Sequence, residues 1–332
     1  DFEFVEEKNN YIPFTFDIEQ LATFDKSNFL NFMIDQCTDP ETNVPDYERL
    51  KHYINSIGYI LHRKKVATRA KMLLLTEYNK DENNGGGTGK TIVLRALGFV
   101  RNGIIFNNDK ITQFDKFYFE SVTPGSEIVL LDELPNKFDL SALYSLTTGD
   151  FEINRKFRQR IVLPFEQAPK LVLATNHALT QYDDSTLRRL LVIDFYRYYN
   201  KNNTPIAKYK KEFFYDWDES EWSSFYFVMA YCVSSYLQRD ELLNYIPATA
   251  RARSIAAVFD EDILDYFDKL KRNTPLQNTD FYADFPARFE YLTKKRKKQQ
   301  LKKYCEMTGI TYKELSRTPE NGRNFMLVSS EN

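Results

Sequence analysis

Five short apolar runs between residues 71 and 195 dominate the hydrophobic pattern of this chain. They are "KMLLLTE" (71–77), "GIIF" (103–106), "EIVLLDE" (127–133), "KLVLATN" (170–176) and "LLVIDF" (190–195). Most are unbroken rather than alternating, which is typical of strands buried on both faces of a parallel sheet. Helix-like segments separate several of the runs, so we predict an α/β fold with a three-layer core.

Apolar residues at helical spacing flank these runs on both sides. Between Asp46 and Arg63 they recur at i, i+3, i+4 and i+7, which is one face of an amphipathic helix. A shorter cluster at 29–33 predicts another helix before it, and a further helix is predicted from Trp222 onward. The sheet is therefore expected to lie between helical segments.

Period-two alternation appears in "GDFEINRKFRQRIVLPF" (149–165), on both sides of a basic centre. This pattern predicts a β-hairpin with its cations at or near the tip. Such a tip suits a nucleic-acid backbone and a stacked base, whereas a solvated turn is the alternative. The predicted DNA contacts are Arg155, Lys156, Phe157 and Arg158, with Arg160 beside them.

Composition limits the protein classes that remain. The net charge of the 332 residues is only −2, so any nucleic-acid surface must be local. Cys37, Cys232 and Cys305 are far apart and form no C-x-x-C, which argues for reduced thiols in a cytoplasmic protein. No apolar run reaches about 18 residues, and the N-terminus has no signal-peptide pattern, so we expect no membrane partner. Because the chain begins at Asp1 without methionine, we expect a fragment of a longer protein.

The glycine-rich segment "NNGGGTGKT" (83–91) approaches the P-loop pattern G-x-x-x-x-G-K-[ST]. Its backbone can turn tightly around an anion, and a helix-like stretch after it would add a positive dipole end. Asn84 replaces the first glycine but is tolerated, because asparagine adopts positive φ more readily than most residues. Lys90 would reach the β- and γ-phosphates and Thr91 would hold Mg²⁺, whereas a glycine-rich turn without a ligand is the alternative. The predicted ATP-binding residues are Asn84, Gly85, Gly86, Gly87, Thr88, Gly89, Lys90, Thr91 and Asp132.

Polar residues end two of the later runs. Asp132 would anchor the Mg²⁺ shell and Glu133 would polarise the attacking water, as a nucleotide hydrolase requires beside its P-loop. Asn176 ends the fourth run and would orient that water against the γ-phosphate. Taken singly, solvated strand-end acids and a turn-forming asparagine are the alternatives.

Arg188 and Arg189 stand immediately before the fifth run, and we expect them within a few residues of the nucleotide edge. In an oligomer, an arginine there would reach the γ-phosphate of a neighbouring subunit. A surface pair engaged in a salt bridge is the alternative.

The order and spacing of these features resemble superfamily 3 helicases, the AAA+ replicative helicases of small DNA viruses, phages, plasmids and poxvirus-type primase-helicases. The resemblance covers roughly residues 47–240, and stretches 143–179 and 185–195 are similar to the helicase halves of phage and mobile-element primase-helicases. It implies ATP and Mg²⁺ as cofactors and a ring, usually a hexamer, that moves 3′ to 5′ on single-stranded DNA. By position, Arg189 best matches the arginine finger and Lys156 the strand contact. No primase motif is visible, so a primase would lie elsewhere.

Four domains follow from the pattern and the resemblance. They are an N-terminal helical, collar-like domain (1–67), an AAA+ superfamily 3 ATPase core (68–200), a helical lid or connector (201–255) and a basic winged-helix-like domain (256–332). In the last, a basic helix near 288–307 would contact DNA phosphates, whereas a solvated helix packed on its own ring is the alternative. Its predicted phosphate contacts are Lys294, Lys295, Arg296, Lys297 and Lys298.

The leading hypothesis is therefore an ATP-dependent hexameric DNA helicase. An initiator or loader that uses ATP only to assemble on DNA is a second hypothesis. An RNA helicase or a packaging ATPase is a third, because the hairpin charges address phosphates rather than the sugar.

Overall fold

The computed structural model describes residues 27–77, 87–107, 115–136, 138–178, 184–239, 242, 248–316 and 324–329. The chain divides by its contacts into two compact units. One unit comprises the described residues of 1–177 and 188–247, and the other those of 178–187 and 248–332. The predicted boundary after residue 67 falls inside the first unit.

The first unit is built on a parallel sheet. Its strands are β1 (Met72–Glu77), β2 (Gly103–Asn107), β3 (Ile128–Leu134), β4 (Phe151–Ile153), β5 (Ile161–Leu163), β6 (Lys170–Thr175) and β7 (Leu190–Phe195). Its helices are α1 (Asn28–Gln36), α2 (Tyr47–Leu61), α3 (Lys90–Val100), α4 (Tyr144–Thr148), α5 (Asp184–Arg189), which begins in the second unit, α6 (Pro205–Tyr209) and α7 (Glu219–Leu237). Single 3₁₀ turns span Ala67–Arg69 and Leu140–Leu143. Five strands form the sheet in the order β2-β3-β6-β1-β7, all parallel.

The unbroken apolar runs are the strands of this sheet, as predicted. Every residue of β1, β6 and β7 is buried, and successive side chains of a strand point to opposite faces. Both faces of the sheet are therefore covered. The edge strand β2 is only half-buried, whereas the opposite edge strand β7 is fully buried.

Helices α1, α2 and α7 share one hydrophobic core with the sheet. At Gly58 of α2, a Cβ atom would lie 1.9 Å from the main-chain oxygen of Cys232 in α7, so only glycine permits this helix crossing. Arg49 of α2 forms a buried ion pair with Asp194 of β7. The N-terminal helices are thus part of the same packed body as the sheet, and a collar role for residues 1–67 stays a prediction.

Strands β4 and β5 form the predicted antiparallel hairpin, with Phe151 paired to Leu163 and Ile153 to Ile161. Phe151 and Ile153 are fully buried, and the Phe151 ring packs edge-on against Phe119. The apolar face of the hairpin therefore anchors it to the unit, and residues 156–160 of its tip are exposed.

The second unit is a smaller helical body with an antiparallel sheet. Its elements are α8 (Ala248–Val258), α9 (Glu261–Lys269), β8 (Pro275–Gln277), α10 (Asn278–Ala283), α11 (Lys294–Thr308), β9 (Thr311–Glu314) and β10 (Asn324–Val328), with a 3₁₀ turn at Ala287–Phe289. The strand order is β8-β10-β9. Phe267, Phe281 and Phe325 lie at its centre, and Leu301 and Tyr304 of α11 are buried, as the sequence predicts. The arrangement is compatible with a winged helix, and that assignment remains a proposal.

Candidate nucleotide site and nucleic-acid surfaces

Three strands bring their carboxyl ends to one edge of the parallel sheet. The pairs Leu75–Ala174 and Leu131–Leu173 set the register of β6 between β1 and β3. The residues that end or follow these strands therefore meet at the same edge. In open α/β sheets, ligands bind outside the carboxyl ends of the strands.

The described part of the glycine-rich segment has the backbone of an anion-binding loop. Gly87 and Gly89 have φ of +85° and +88°, and Lys90 is the first residue of α3. A Cβ atom at Gly89 would lie 2.6 Å from the Phe32 ring, so both conformation and space require glycine there. The start of α3 thus presents main-chain N–H groups and its positive dipole end. Asn84, Gly85 and Gly86 lie outside the described residues.

The lysine of this segment has a carboxylate partner that the sequence analysis missed. Lys90 Nζ lies 2.6 Å from Oε2 of Glu77, the last residue of β1, and 3.2 Å from the Thr88 hydroxyl. Thr88 Oγ1 also donates to Glu77 at 3.1 Å, and its main-chain oxygen accepts from Gln36 Nε2 at 2.8 Å. The signal that could have identified Glu77 was a charged residue that ends an apolar run a few residues before a glycine-rich segment.

Thr91 and Asp132 are in contact although 41 residues separate them. Thr91 Oγ1 donates to Asp132 Oδ2 at 3.0 Å. The two predicted magnesium ligands are therefore adjacent at the carboxyl edge. Hydroxyl and carboxylate oxygens suit Mg²⁺, which proteins commonly hold through one or two carboxylates together with substrate phosphates. Among the described residues no group of three or more His, Cys, Asp or Glu could hold a metal unaided.

Glu133 lies at an irregularity in β3. The register between β3 and β6 shifts after Leu131, and Glu133 has φ of +54°. A bulge at a strand end redirects the side chain, and non-glycine residues with positive φ cluster at functional sites. Glu133 is exposed while its neighbour Asp132 is buried. The bulge thus separates a carboxylate held inward from one that faces solvent.

Asn176 directly follows β6, which lies between β1 and β3. The preceding Thr175 donates its hydroxyl hydrogen bond to the Leu134 oxygen at 2.8 Å, which fixes the end of β6 against β3. Asn176 is therefore at the same edge as Glu77 and Asp132. Its orientation of a water molecule stays a prediction.

The expected position of the arginine pair is wrong. Leu190 of β7 is paired with Met72 at the beginning of β1, and Phe195 with Glu77 at its end. Because the strands are parallel, Arg188 and Arg189 lie at the amino edge, a strand's length from Lys90 of the same chain. The Arg189 guanidinium lies 4.9 Å from the centre of the Tyr144 ring. Neither arginine is placed to reach a nucleotide bound by its own P-loop.

The hairpin tip carries the predicted cations and aromatic residue on its surface. Phe157 is fully exposed with φ of +56°, and Lys156 and Arg158 are exposed beside it. Arg155 donates to the Gln159 oxygen across the tip, and Arg160 pairs with Glu152 at 3.0 Å. Of these cations, Arg160 is the one with a carboxylate partner on the hairpin itself.

One of the five predicted basic contacts on α11 is not available to a ligand. Lys294, Lys295 and Arg296 are exposed and Lys298 is half-buried. Lys297 is 8% exposed, with Nζ 4.6 Å from the centre of the Phe285 ring. Helical periodicity turns it inward, so we remove Lys297 from the predicted phosphate contacts.

Comparisons with known proteins give distant similarities. A model of a family of unknown function (DUF5906) matches residues 83–189, less than half of the chain. No curated protein matches. Among solved structures, two of the apo C-terminal region of NrS-1 are 13% and 12% identical, cover 90% and 91% of this chain and 75% and 76% of their own, and have TM-scores of 0.43.

A structure of JCV helicase with a bound small molecule is 15% identical, covers 83% of this chain and 60% of its own, and has a TM-score of 0.34. Because these TM-scores are low, we draw no functional argument from the solved structures. In the part of the chain that the structure describes, no helix is long and apolar enough to cross a membrane.

Proposed function

We propose that this chain is the ATP-driven motor part of a replicative DNA helicase of the superfamily 3 (AAA+) type that its motifs resemble. The observation that carries the proposal is the contact between Thr91 and Asp132 at 3.0 Å, beside Lys90 at the start of α3. Residues distant in sequence meet here in the arrangement that P-loop ATPases use to hold a nucleotide and its metal.

Each residue of the carboxyl edge has a role that its position supports. Lys90 would contact the β- and γ-phosphates, and Thr91 and Asp132 would hold Mg²⁺. When bound, the magnesium ion supplies neutralisation of charge on the phosphates. Glu133, exposed on its bulge, would act as the base that polarises water, and Asn176 would orient that water.

The position of Arg189 supports action on a neighbouring subunit. An arginine at the amino edge cannot serve the P-loop of its own chain, whereas a head-to-tail ring would bring it to the next one. Arg188, which is exposed at the same edge, is the second candidate. A closed ring, which we expect to be a hexamer moving 3′ to 5′, belongs to this proposal.

The hairpin tip is the proposed contact with single-stranded DNA. Exposed Lys156 and Arg158 would follow the phosphate backbone, and the fully exposed Phe157 ring would stack on a base. Coupling hydrolysis at subunit interfaces to movement of these tips would pull the strand through the ring. The described cysteines are buried free thiols, and a cytoplasmic location belongs to the same proposal.

The second unit favours a second candidate, an initiator or loader ATPase that assembles on DNA without processive unwinding. Its helix α11 presents exposed Lys294, Lys295 and Arg296 on a compact body with an antiparallel sheet. A basic helix on such a body suits duplex phosphates. A loader would hydrolyse ATP slowly and would not separate strands.

The deciding experiment is steady-state ATP hydrolysis with and without single-stranded DNA, single-stranded RNA and duplex DNA. The motor predicts strong stimulation by single-stranded DNA alone, followed by unwinding of a forked duplex. Slow hydrolysis that none of the three changes would support the loader. No ATP binding at all would refute both.

A further inference from the structure

Lys90 is unusual for a lysine because it is buried and paired with a carboxylate. It is 7% exposed, and Glu77, whose carboxylate lies 2.6 Å from its Nζ, is fully buried. A buried ammonium group without a counter-charge is costly, so Lys90 needs an anion beside its Nζ. Glu77 supplies that anion from the end of β1.

The same carboxylate oxygen also organises the loop. Glu77 Oε2 accepts a hydrogen bond from Thr88 Oγ1 at 3.1 Å, and Lys90 Nζ lies 3.2 Å from that hydroxyl. The three groups form a closed triangle between the end of β1 and the phosphate-binding segment. Gln36 of α1 also donates a hydrogen bond to the main-chain oxygen of Thr88. This bond from α1 helps to hold Thr88 in position beside Glu77 and Lys90.

An incoming triphosphate needs the lysine that Glu77 holds. Its negative charges would be repelled by a carboxylate close to the same Nζ, and this repulsion is strong where water is excluded. We propose that Glu77 is a resident counter-ion of the P-loop lysine: it stabilises the buried ammonium group and competes with the nucleotide phosphates for Lys90. The inference rests on the proposed ATP site and adds to it a residue that sets nucleotide affinity.

The test measures ATP affinity of the full chain by calorimetry and thermal unfolding without nucleotide. Glu77→Gln keeps an oxygen acceptor for Lys90 and Thr88 but removes the charge. We expect it to bind ATP about tenfold more tightly and to unfold at a lower temperature when nucleotide is absent. Equal or weaker ATP affinity in this variant would overturn the competition.

A double-mutant cycle tests the ion pair without any nucleotide. Lys90→Met leaves Glu77 buried without its cation, so Glu77→Gln in that background should restore stability. We expect coupling of about tenfold or more in the unfolding equilibrium constant. Glu48 and Lys51 form a matched control, because their 2.7 Å pair is exposed on α2 and the same two substitutions should show almost no coupling. Coupling no larger than in the control would refute the counter-ion role.

Failure of the proposed function and failure of this inference give different results. A wild-type chain that binds no ATP refutes both, and coupling in the cycle would then report only a structural ion pair. A wild-type chain that binds ATP, with unchanged affinity in Glu77→Gln, refutes the inference alone. If Glu77→Gln does not fold, Glu77→Asp is the second variant, because its carboxylate is one methylene group farther from Lys90. It should raise ATP affinity by a smaller factor than Glu77→Gln would. Unchanged ATP affinity in Glu77→Asp would again contradict the proposal.

Discussion

The hydrogen-bond partners shown for the lysines at the two edges of the parallel sheet differ. At the carboxyl edge, Lys90 forms an ion pair with the Glu77 carboxylate, and the Thr91 hydroxyl donates a hydrogen bond to Asp132. At the amino edge, Lys71 Nζ donates to the Arg188 main-chain oxygen at 2.7 Å, and Lys170 Nζ donates to the oxygens of Tyr59 and His62. Carbonyl oxygens satisfy hydrogen bonds but neutralise no charge.

The difference appears in the lysine pKa values at the amino edge. Burial lowers the pKa of Lys71 and lowers that of Lys170 well below its usual range. Arg63 and Arg101 at this edge share the carboxylate of Glu127. Lys71, Lys170 and the two arginines thus make the amino edge rich in basic side chains, and Glu127 pairs with both arginines. In the proposed ring, this edge would face the carboxyl edge of the next copy.

Removal of the lysine at the carboxyl edge should have the largest effect. Lys90→Ala is expected to abolish ATP binding and all hydrolysis, because no other described cation lies at this position in the loop. Calorimetric titration with ATP and Mg²⁺ checks binding directly. Lys51→Ala, on the exposed face of α2, is the control and should bind as the wild type does. Unchanged ATPase activity in Lys90→Ala would remove the P-loop assignment.

Removal of the arginine at the amino edge tests whether the two edges meet between subunits. Arg189→Ala should lower hydrolysis by about 10³- to 10⁵-fold, the range of arginine fingers in GTPases, and should leave ATP affinity nearly intact. Mixing it with Glu133→Gln, which keeps its arginine but lacks the base, should restore part of the activity, since the defects lie on opposite sides of an interface. Absence of rescue at every mixing ratio would contradict action in trans.

Most strands of this sheet were predictable because they are almost completely buried, which gives unbroken apolar runs. An unbroken run such as 190–195 has few structures available other than a buried strand, and all five predicted runs agree with the observed strands within one or two residues. The hairpin was predictable for a different reason: its strands are buried on one face only, so Phe151 and Ile153 alternate with exposed or half-buried residues. Local pattern and global fold agree in these elements.

The edge at which a residue lies was not predictable from spacing alone. Arg189 stands one residue before a strand, and its edge depends on the direction and pairing of β7 with β1, which is a long-range property. The Glu77–Lys90 pair was missed for a similar reason, because two strand-end and loop residues meet only after the sheet has formed. Lys297 was misplaced because five consecutive basic residues occupy more than one face of a helix.

Acid should weaken the core that both edges share. Burial lowers the pKa of His52 to about 4, although its Nε2 lies 2.9 Å from the Val192 oxygen. Its folded pKa is below the unfolded value of 6.5, so the unfolded state binds the proton first and stability falls as pH drops from 6.5 to 4. Denaturant titrations at pH 7.5 and 4.5 should therefore give free energies of unfolding that differ by up to about 3 kcal/mol because of His52. In His52→Gln that difference should shrink, and an identical difference would exclude His52 as its source.

The hairpin connects the two edges, because the chain leaves β3 at the carboxyl edge and enters β6 at the amino edge. We expect substitutions at its tip to have the smallest effects. Lys156 and Phe157, which are neighbours at the tip, should affect DNA binding in different ways. Lys156→Ala should weaken binding of single-stranded DNA and reduce the salt slope of log K by about 0.7 for each phosphate that is no longer neutralised. Phe157→Ala should cost about 1–3 kcal/mol per stacked base and leave the slope unchanged, because stacking releases no counterions.

Fluorescence anisotropy with labelled single-stranded DNA at several salt concentrations separates the two contributions. Arg160→Ala is the matched control, because Arg160 is occupied by Glu152 and its removal should change the slope less than that of Lys156. If the three variants bind and respond to salt as the wild type does, the tip does not contact the strand, and the basic helix α11 becomes the surface to test. If Lys156 changes the slope and Phe157 does not, the tip holds phosphate and base through separate side chains, which a translocating motor can release one at a time.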